Sequence, residues 1–171
     1  MKSIIVTFGV LFALFFSVNC AYSFDREKLE AISEIGYLSN SKKYEVAMEK
    51  CNLAMEKYPQ DPELYYWRAT INSNLGKNNE ALDDMNNAVE LNPKDSNVYV
   101  MRGIMRSEVG DNEGALADFD KALSLNPNND SAYAMRACIK LLQGDLKSAK
   151  DDLEMANKLL DEEELSSENE K

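Results

Sequence analysis

Three arginine–aspartate pairs carry the most regular charge in the chain. Arg68 and Asp84, Arg102 and Asp118, and Arg136 and Asp152 each stand 16 residues apart, and the set recurs every 34 residues. Two kinds of chemistry suit such a ladder. Arginines in a row offer forked donors to bound carboxylate or phosphate. Alternatively, each arginine pairs with its own aspartate between two helices and covers apolar surface with its stem. A residue repeated in every unit of a tandem array serves the scaffold more often than a ligand, so the second role is expected.

Catalytic chemistry finds little else to work with. The chain has no histidine, which removes the usual proton carrier near neutral pH and every Ser-His or Cys-His arrangement. The neighbours Asp83/Asp84 and Asp151/Asp152 cannot act together, because adjacent helical residues point about 100° apart. Asp111-Asn112-Glu113-Gly114 hints at a calcium loop, but its glycine comes too early for that pattern, and a turn is expected. Cys20, Cys51 and Cys138 lie far apart with no C-x-x-C pair, and Cys51 is expected to be a buried thiol. Asn129-Asp130-Ser131 fits the glycosylation sequon. The sequence contains no glycine-rich phosphate loop, metal cluster or nucleophile–base pair. A protein that is not an enzyme, with no cofactor and no metal, is the expectation.

The chain's 19 basic and 30 acidic residues give a formal charge of −11 over 171 residues. Such a surface repels phosphate backbones and anionic lipid, which argues against nucleic acid and favours a basic or apolar partner. Residues 1–23 have the pattern of a signal peptide. Lys2 precedes an apolar run from Ile4 to Val18, too short for the roughly 20 residues of a bilayer span, and Ala21-Tyr22-Ser23 suits cleavage after Ser23. The alternative is lipidation at Cys20, as in a bacterial lipoprotein, although Ser17-Val18-Asn19 fits that motif poorly. The expected location is the periplasm or the medium, with no membrane insertion after cleavage, or alternatively an envelope membrane through a lipid anchor.

The elements that must position these residues follow from one period. Pro59, Pro93 and Pro127 fall 34 residues apart, as do Gly76, Gly110 and Gly144. Ala47, Ala81, Ala115 and Ala149 keep the same spacing, and so do Ala54, Ala88, Ala122 and Ala156. After a lead-in at 24–27 the units are 28–61, 62–95, 96–129 and 130–163, followed by an acidic tail at 164–171 that is expected to be disordered. Each unit predicts two helices. In the second unit Asp61-Pro62-Glu63 is a start signal, Gly76 a stop, and another helix runs from about Asn79 to Leu91. Ala81 and Ala88 lie on one face, where small residues let helices approach, with Ala69, Gly103 or Ala137 opposite.

The Gly/Ala, Ala, Ala and Pro positions together resemble the tetratricopeptide repeat family over residues 28–161. The resemblance implies an all-α fold, a right-handed α-solenoid of four helix-turn-helix repeats whose concave groove holds a protein or peptide partner. Two departures stand out. The family's second tyrosine position holds Leu38, Asn72, Arg106 and Lys140, and Lys42 replaces the glycine of a divergent first repeat. Both are expected to weaken those units.

The groove positions implied by the family are Tyr66, Trp67, Thr70, Ser73 and Asn74 in the second unit. They are Val100, Met101, Ile104, Ser107 and Glu108 in the third, and Ala134, Met135, Cys138, Leu141 and Leu142 in the fourth. Ile32, Gly36, Trp67, Asn97 and Met101 occupy the places where some members grip a terminal carboxylate. The clamp is therefore missing, and an apolar, methionine-rich face remains, suited to an apolar segment such as a helix. The other reading of that stripe is interior packing between first helices.

The ends of the array differ from its middle. Met48/Met55, Leu82/Val89 and Leu116/Leu123 become Lys150 and Asn157 in the last unit, and Leu64, Val98 and Ala132 become Glu30 in the first, where Glu34 also replaces the arginine. Closed polar ends, four repeats and a monomer before partner binding are predicted. The expected function is a non-catalytic exported scaffold in envelope assembly or secretion. The alternative is a lipid-anchored structural subunit of a membrane-associated complex.

Overall fold

Capping acids, prolines and glycines interrupt the chain twice per repeat, and helices fill the intervals. In a computed structural model that describes residues 26–169, with side-chain surroundings up to Glu162, these are α1 (26–40), α2 (Tyr44–Lys57), α3 (Pro62–Asn74), α4 (Asn78–Leu91), α5 (Ser96–Glu108), α6 (Asn112–Leu125), α7 (Asp130–Leu142) and α8 (Leu146–Asn169). No strand occurs among the described residues, and no helix among them is long and apolar enough to cross a membrane. The expected signal peptide at 1–23, Cys20 and the proposed start at Phe24 lie outside the described residues.

The chain divides into two compact units, one ending at Pro59 and the other beginning at Gln60. The first contains α1 and α2. Lys42 turns the chain between them in the left-handed region, φ 59°, a conformation that costs a residue with a β-carbon. Ile32, Ile35, Ala47 and Cys51 are buried, and Glu27–Lys57 (2.5 Å) and Glu34–Lys50 (3.1 Å) join the two helices across their surface.

The second unit holds three hairpins, α3–α4, α5–α6 and α7–α8, with α4 packed on α5 and α6 on α7. The helix starts are capped, the one at Asp61 as its sequence predicts. Asp61 accepts from the Glu63 amide, Asp95 from Asn97 and Asp111 from Gly114, each at 2.9 Å, satisfying amides that have no partner within the helix. The last of these accounts for the calcium-like sequence as a helix cap. Gly76, Gly110 and Gly144 close the first helices at φ 75°, 86° and 81°.

The core runs through Ala69, Ala81, Met85, Ala88, Ala115, Phe119, Ala122 and Ala132. Small side chains on facing helices draw the backbones together. A β-carbon at Gly103 would stand 2.6 Å from the Phe119 ring.

One expectation is corrected here. α8 remains helical to Asn169, past residue 164, where the composition predicts a disordered tail to begin. No Gly or Pro interrupts this stretch of good helix formers, and Lys158 reaches Glu162 one turn on at 3.7 Å. Leu153 shares a column with the buried Cys51, Met85 and Phe119 yet is exposed.

Candidate functional site

The arginine–aspartate ladder is closed on itself. Arg68 grips Asp84 with two donors at 2.9 and 2.5 Å, Arg102 grips Asp118 at 2.9 and 2.7 Å, and Arg136 grips Asp152 at 2.9 and 2.6 Å. The aspartates are buried, and the forked geometry is the strong form of the pair. Tyr65, Tyr99 and Tyr133 each lie one turn before an arginine, with ring centres 5.5 Å from the guanidinium carbon. These arginines have no vacant fork to offer a ligand.

The residues at the departing tyrosine position complete the same clusters. Asn72 donates to Asp84 at 3.1 Å, Arg106 to Asp118 at 2.9 Å and Lys140 to Asp152 at 2.7 Å. The expected weakening is thus replaced by a third donor to each buried carboxylate, whose lone pairs would otherwise go unmet. Burial alone would push Asp152 up, but the bonds from Arg136 and Lys140 outweigh it and hold its carboxyl below the ordinary value. The hydrogen bond to Asp152 likewise raises Arg136 above its usual range. In the first repeat the pair survives with its charges exchanged, as Glu34 and Lys50. The 12-residue spacing was visible in the sequence, but three different residue types concealed the column.

The first-helix face gathers most of the expected groove residues. Tyr66, Trp67, Thr70, Met101, Ile104, Ala134 and Met135 are half-buried along α3, α5 and α7, while Cys138, Leu141 and Asn74 are exposed. Tyr66 and Trp67 meet edge to face at 5.5 Å. Thr70 and Asn74 turn their side chains back to backbone carbonyls of their own helix, at 3.0 and 2.8 Å. Ser73 donates to Glu108 at 3.1 Å, linking α3 to α5. Burial pushes the Tyr66 phenol up, so it stays neutral. The Trp67 indole nitrogen is buried without a hydrogen-bond partner. No cluster among the described residues could hold a metal ion.

Sequence profiles of the tetratricopeptide repeat match residues 50–83, 96–129 and 119–151, together just over half of the chain. The chain belongs to the tetratricopeptide repeat family. Among solved structures, MamA is similar over 80% of this chain and 80% of its own, with a TM-score of 0.71 at 17% identity. TTC0263, a thermophilic TPR protein in Thermus thermophilus, covers 78% of this chain and 75% of its own, with a TM-score of 0.70 at 24% identity. The first TPR of Spaghetti (RPAP3), solved bound to the HSP90 peptide SRMEEVD, covers 68% of this chain and 93% of its own, with a TM-score of 0.64 at 28% identity. No curated protein matches the sequence.

One groove assignment on the tetratricopeptide scaffold changes. The family pattern puts Val100 on the groove surface, but it is 5% exposed and belongs to the core. The first helices pack on each other at this point, so part of the stripe is interior after all. The sequon asparagine, Asn129, is also buried. Its oxygen caps α7 through the Ala132 amide at 2.9 Å, and its nitrogen reaches Asn97 at 3.0 Å, which leaves the amide no room for a glycan.

Proposed function

We propose that this tetratricopeptide array is a non-catalytic scaffold that holds an apolar segment, a helix of an exported partner, on the α3, α5 and α7 face. The carrying observation is the apolar character of a half-open surface. Trp67, Met101, Ile104 and Met135 stay partly accessible while the residues beneath them are fully packed. Methionine and aromatic side chains on such a surface adapt to a partner's shape. The unmet Trp67 indole donor adds a polar anchor that the ring could offer by turning outward.

RPAP3 was solved with the acidic peptide SRMEEVD, and it supports peptide binding as the general task. The choice of ligand differs here. The carboxylate-gripping positions hold Trp67, Asn97 and Met101, Glu108 adds a negative charge to the face, and the chain carries −11 overall. An acidic peptide is disfavoured and an apolar one, with or without basic flanks, is preferred.

The export pattern of residues 1–23 supports a task in envelope assembly or secretion. Cys20 directly after the apolar run supports the second reading, a lipid-anchored structural subunit. Mass spectrometry of the purified amino terminus separates the two, since a free Phe24 supports the soluble scaffold and an acylated Cys20 the anchored subunit.

A photoreactive residue at position 67 should crosslink the partner in source cells. Purified binding to the captured segment should then weaken about tenfold or more in a Trp67→Ala, Met101→Ala variant. Unchanged capture by that variant would sink the groove assignment.

A further inference from the structure

The cations of α3, α5 and α7 are all engaged between first and second helices, away from the binding face. Arg68 pairs with Asp84, Arg102 and Arg106 with Asp118, and Arg136 and Lys140 with Asp152. The other charged residues of these three helices are acids, Glu63, Glu108 and Asp130, and Glu63 and Glu108 are exposed. By helical spacing Glu63, Trp67, Thr70 and Asn74 share one side of α3, and Asn97, Met101, Ile104 and Glu108 share the same side of α5. The two exposed acids therefore stand in line with the apolar side chains of the face.

Glu108 sits on the central helix of the three. It accepts a hydrogen bond from the Ser73 hydroxyl at 3.1 Å, which holds its carboxylate between α3 and α5. It forms no ion pair among the described residues, and neither does Lys77 in the turn that follows α3. The equivalent places on α3 and α7 are Asn74 and Leu142, and Leu142 is 77% exposed. An amide, a carboxylate and a leucine thus stand in a row along one edge of the face.

An unpaired carboxylate beside apolar side chains restricts what can lie over it. A wholly apolar segment would take its charge out of water without a partner, which costs more than the contact returns. An acidic residue opposite would add repulsion. An amide would meet the hydrogen bonds but leave the charge. Lysine or arginine meets both.

We infer that the segment held on this face carries a lysine or arginine against Glu108 and a large apolar residue against Leu142 and Met135, so that Glu108 determines specificity. The inference rests on the groove assignment proposed above and adds to it the charge of the ligand. The helices α5 and α7 pack on each other, and packed helices stand about 8–10 Å apart. A helix laid across them rises about 1.5 Å per residue, so its cation and its apolar residue fall about seven positions apart, two turns along one side.

Selection of phage-displayed random peptides, about 16 residues long to cover the two-turn spacing, tests it with the full chain as bait. Selected peptides should carry Lys or Arg with a large apolar residue about seven positions away. Trp67 is the only tryptophan of the chain, and its fluorescence then reports the binding of individual synthetic peptides. Glu108→Gln should weaken them about three- to tenfold and Glu108→Lys more, with the melting temperature maintained. Exchanging the peptide's cation for Glu should abolish binding to the unaltered chain and restore it to the Glu108→Lys variant. Peptides lost on Trp67→Ala with Met101→Ala that show no basic preference, or that do not follow the charge exchange, overturn the role of Glu108 and leave the groove standing. A library that yields no peptide sensitive to that double substitution overturns the groove assignment, and this inference with it.

Discussion

Gly103 lies so close beneath the ring of Phe119 that a β-carbon at 103 would come within 2.6 Å of Cε1. The equivalent positions in the neighbouring repeats are Ala69 and Ala137, whose columns oppose Met85 and Leu153 instead of a ring. Gly103→Ala should therefore cost roughly 1–3 kcal/mol through overpacking. Phe119→Leu in the same chain should return part of that loss. Urea melts of the two single variants and the double variant measure the coupling, and strictly additive effects would show that the ring does not dictate the glycine.

Arg102→Ala should destabilise the fold by about 2–3 kcal/mol, because it leaves Asp118 buried with only the Arg106 contact. Thermal and chemical melts check this directly. Normal stability with impaired ligand capture would instead return the arginines to a binding role.

Lys42 occupies the left-handed position that glycine fills in the other three turns. Replacing it with glycine, Lys42→Gly, should relieve backbone strain and stabilise the first hairpin by about 0.5–1 kcal/mol after the entropy of the unfolded chain is deducted. Gly110→Ala should move the other way by about 1 kcal/mol. Equal and opposite shifts in the urea midpoint would tie both to the same torsion.

Acid should find Asp152. Its folded carboxyl titrates below the ordinary value, so its contribution is fully present above about pH 4 and is lost as pH falls through the lower, folded value. Unfolding free energy should decline along that acid limb, and Asp152→Asn, though less stable near neutrality, should show a shallower decline. Melts between about pH 2 and 7 test the slope. An unchanged slope would place the acid sensitivity elsewhere.

Most of the scaffold was legible because it recurs. The helix starts at Asp61 and the stops at Gly76, Gly110 and Gly144 depend on local chemistry that repeats with the period. The arginine and aspartate columns keep their residue types, so their pairing is legible in the sequence. Asn72, Arg106 and Lys140 share a role but not an identity, and their bonds to the aspartates were therefore missed. The Glu34–Lys50 exchange was hidden for the same reason. The groove was less legible, since a first-helix residue such as Val100 can face a neighbouring helix as readily as a partner. On α8 the polar Lys150 and Asn157 alternate with exposed leucines, so a polar column does not by itself make a polar face.

Two arginines also reach backward. Arg102 donates to Asn86 at 3.3 Å and Arg136 to Asp120 at 2.6 Å, each in the preceding repeat. A side chain shared in this way makes adjacent repeats lose contacts together, so amide exchange across α4 to α7 should fall into one protection class instead of three. Asp120 is exposed, and this part of the link is open to screening. Added salt should loosen the synchrony of the repeats before it loosens any one hairpin, broadening the melt while leaving its midpoint nearly in place.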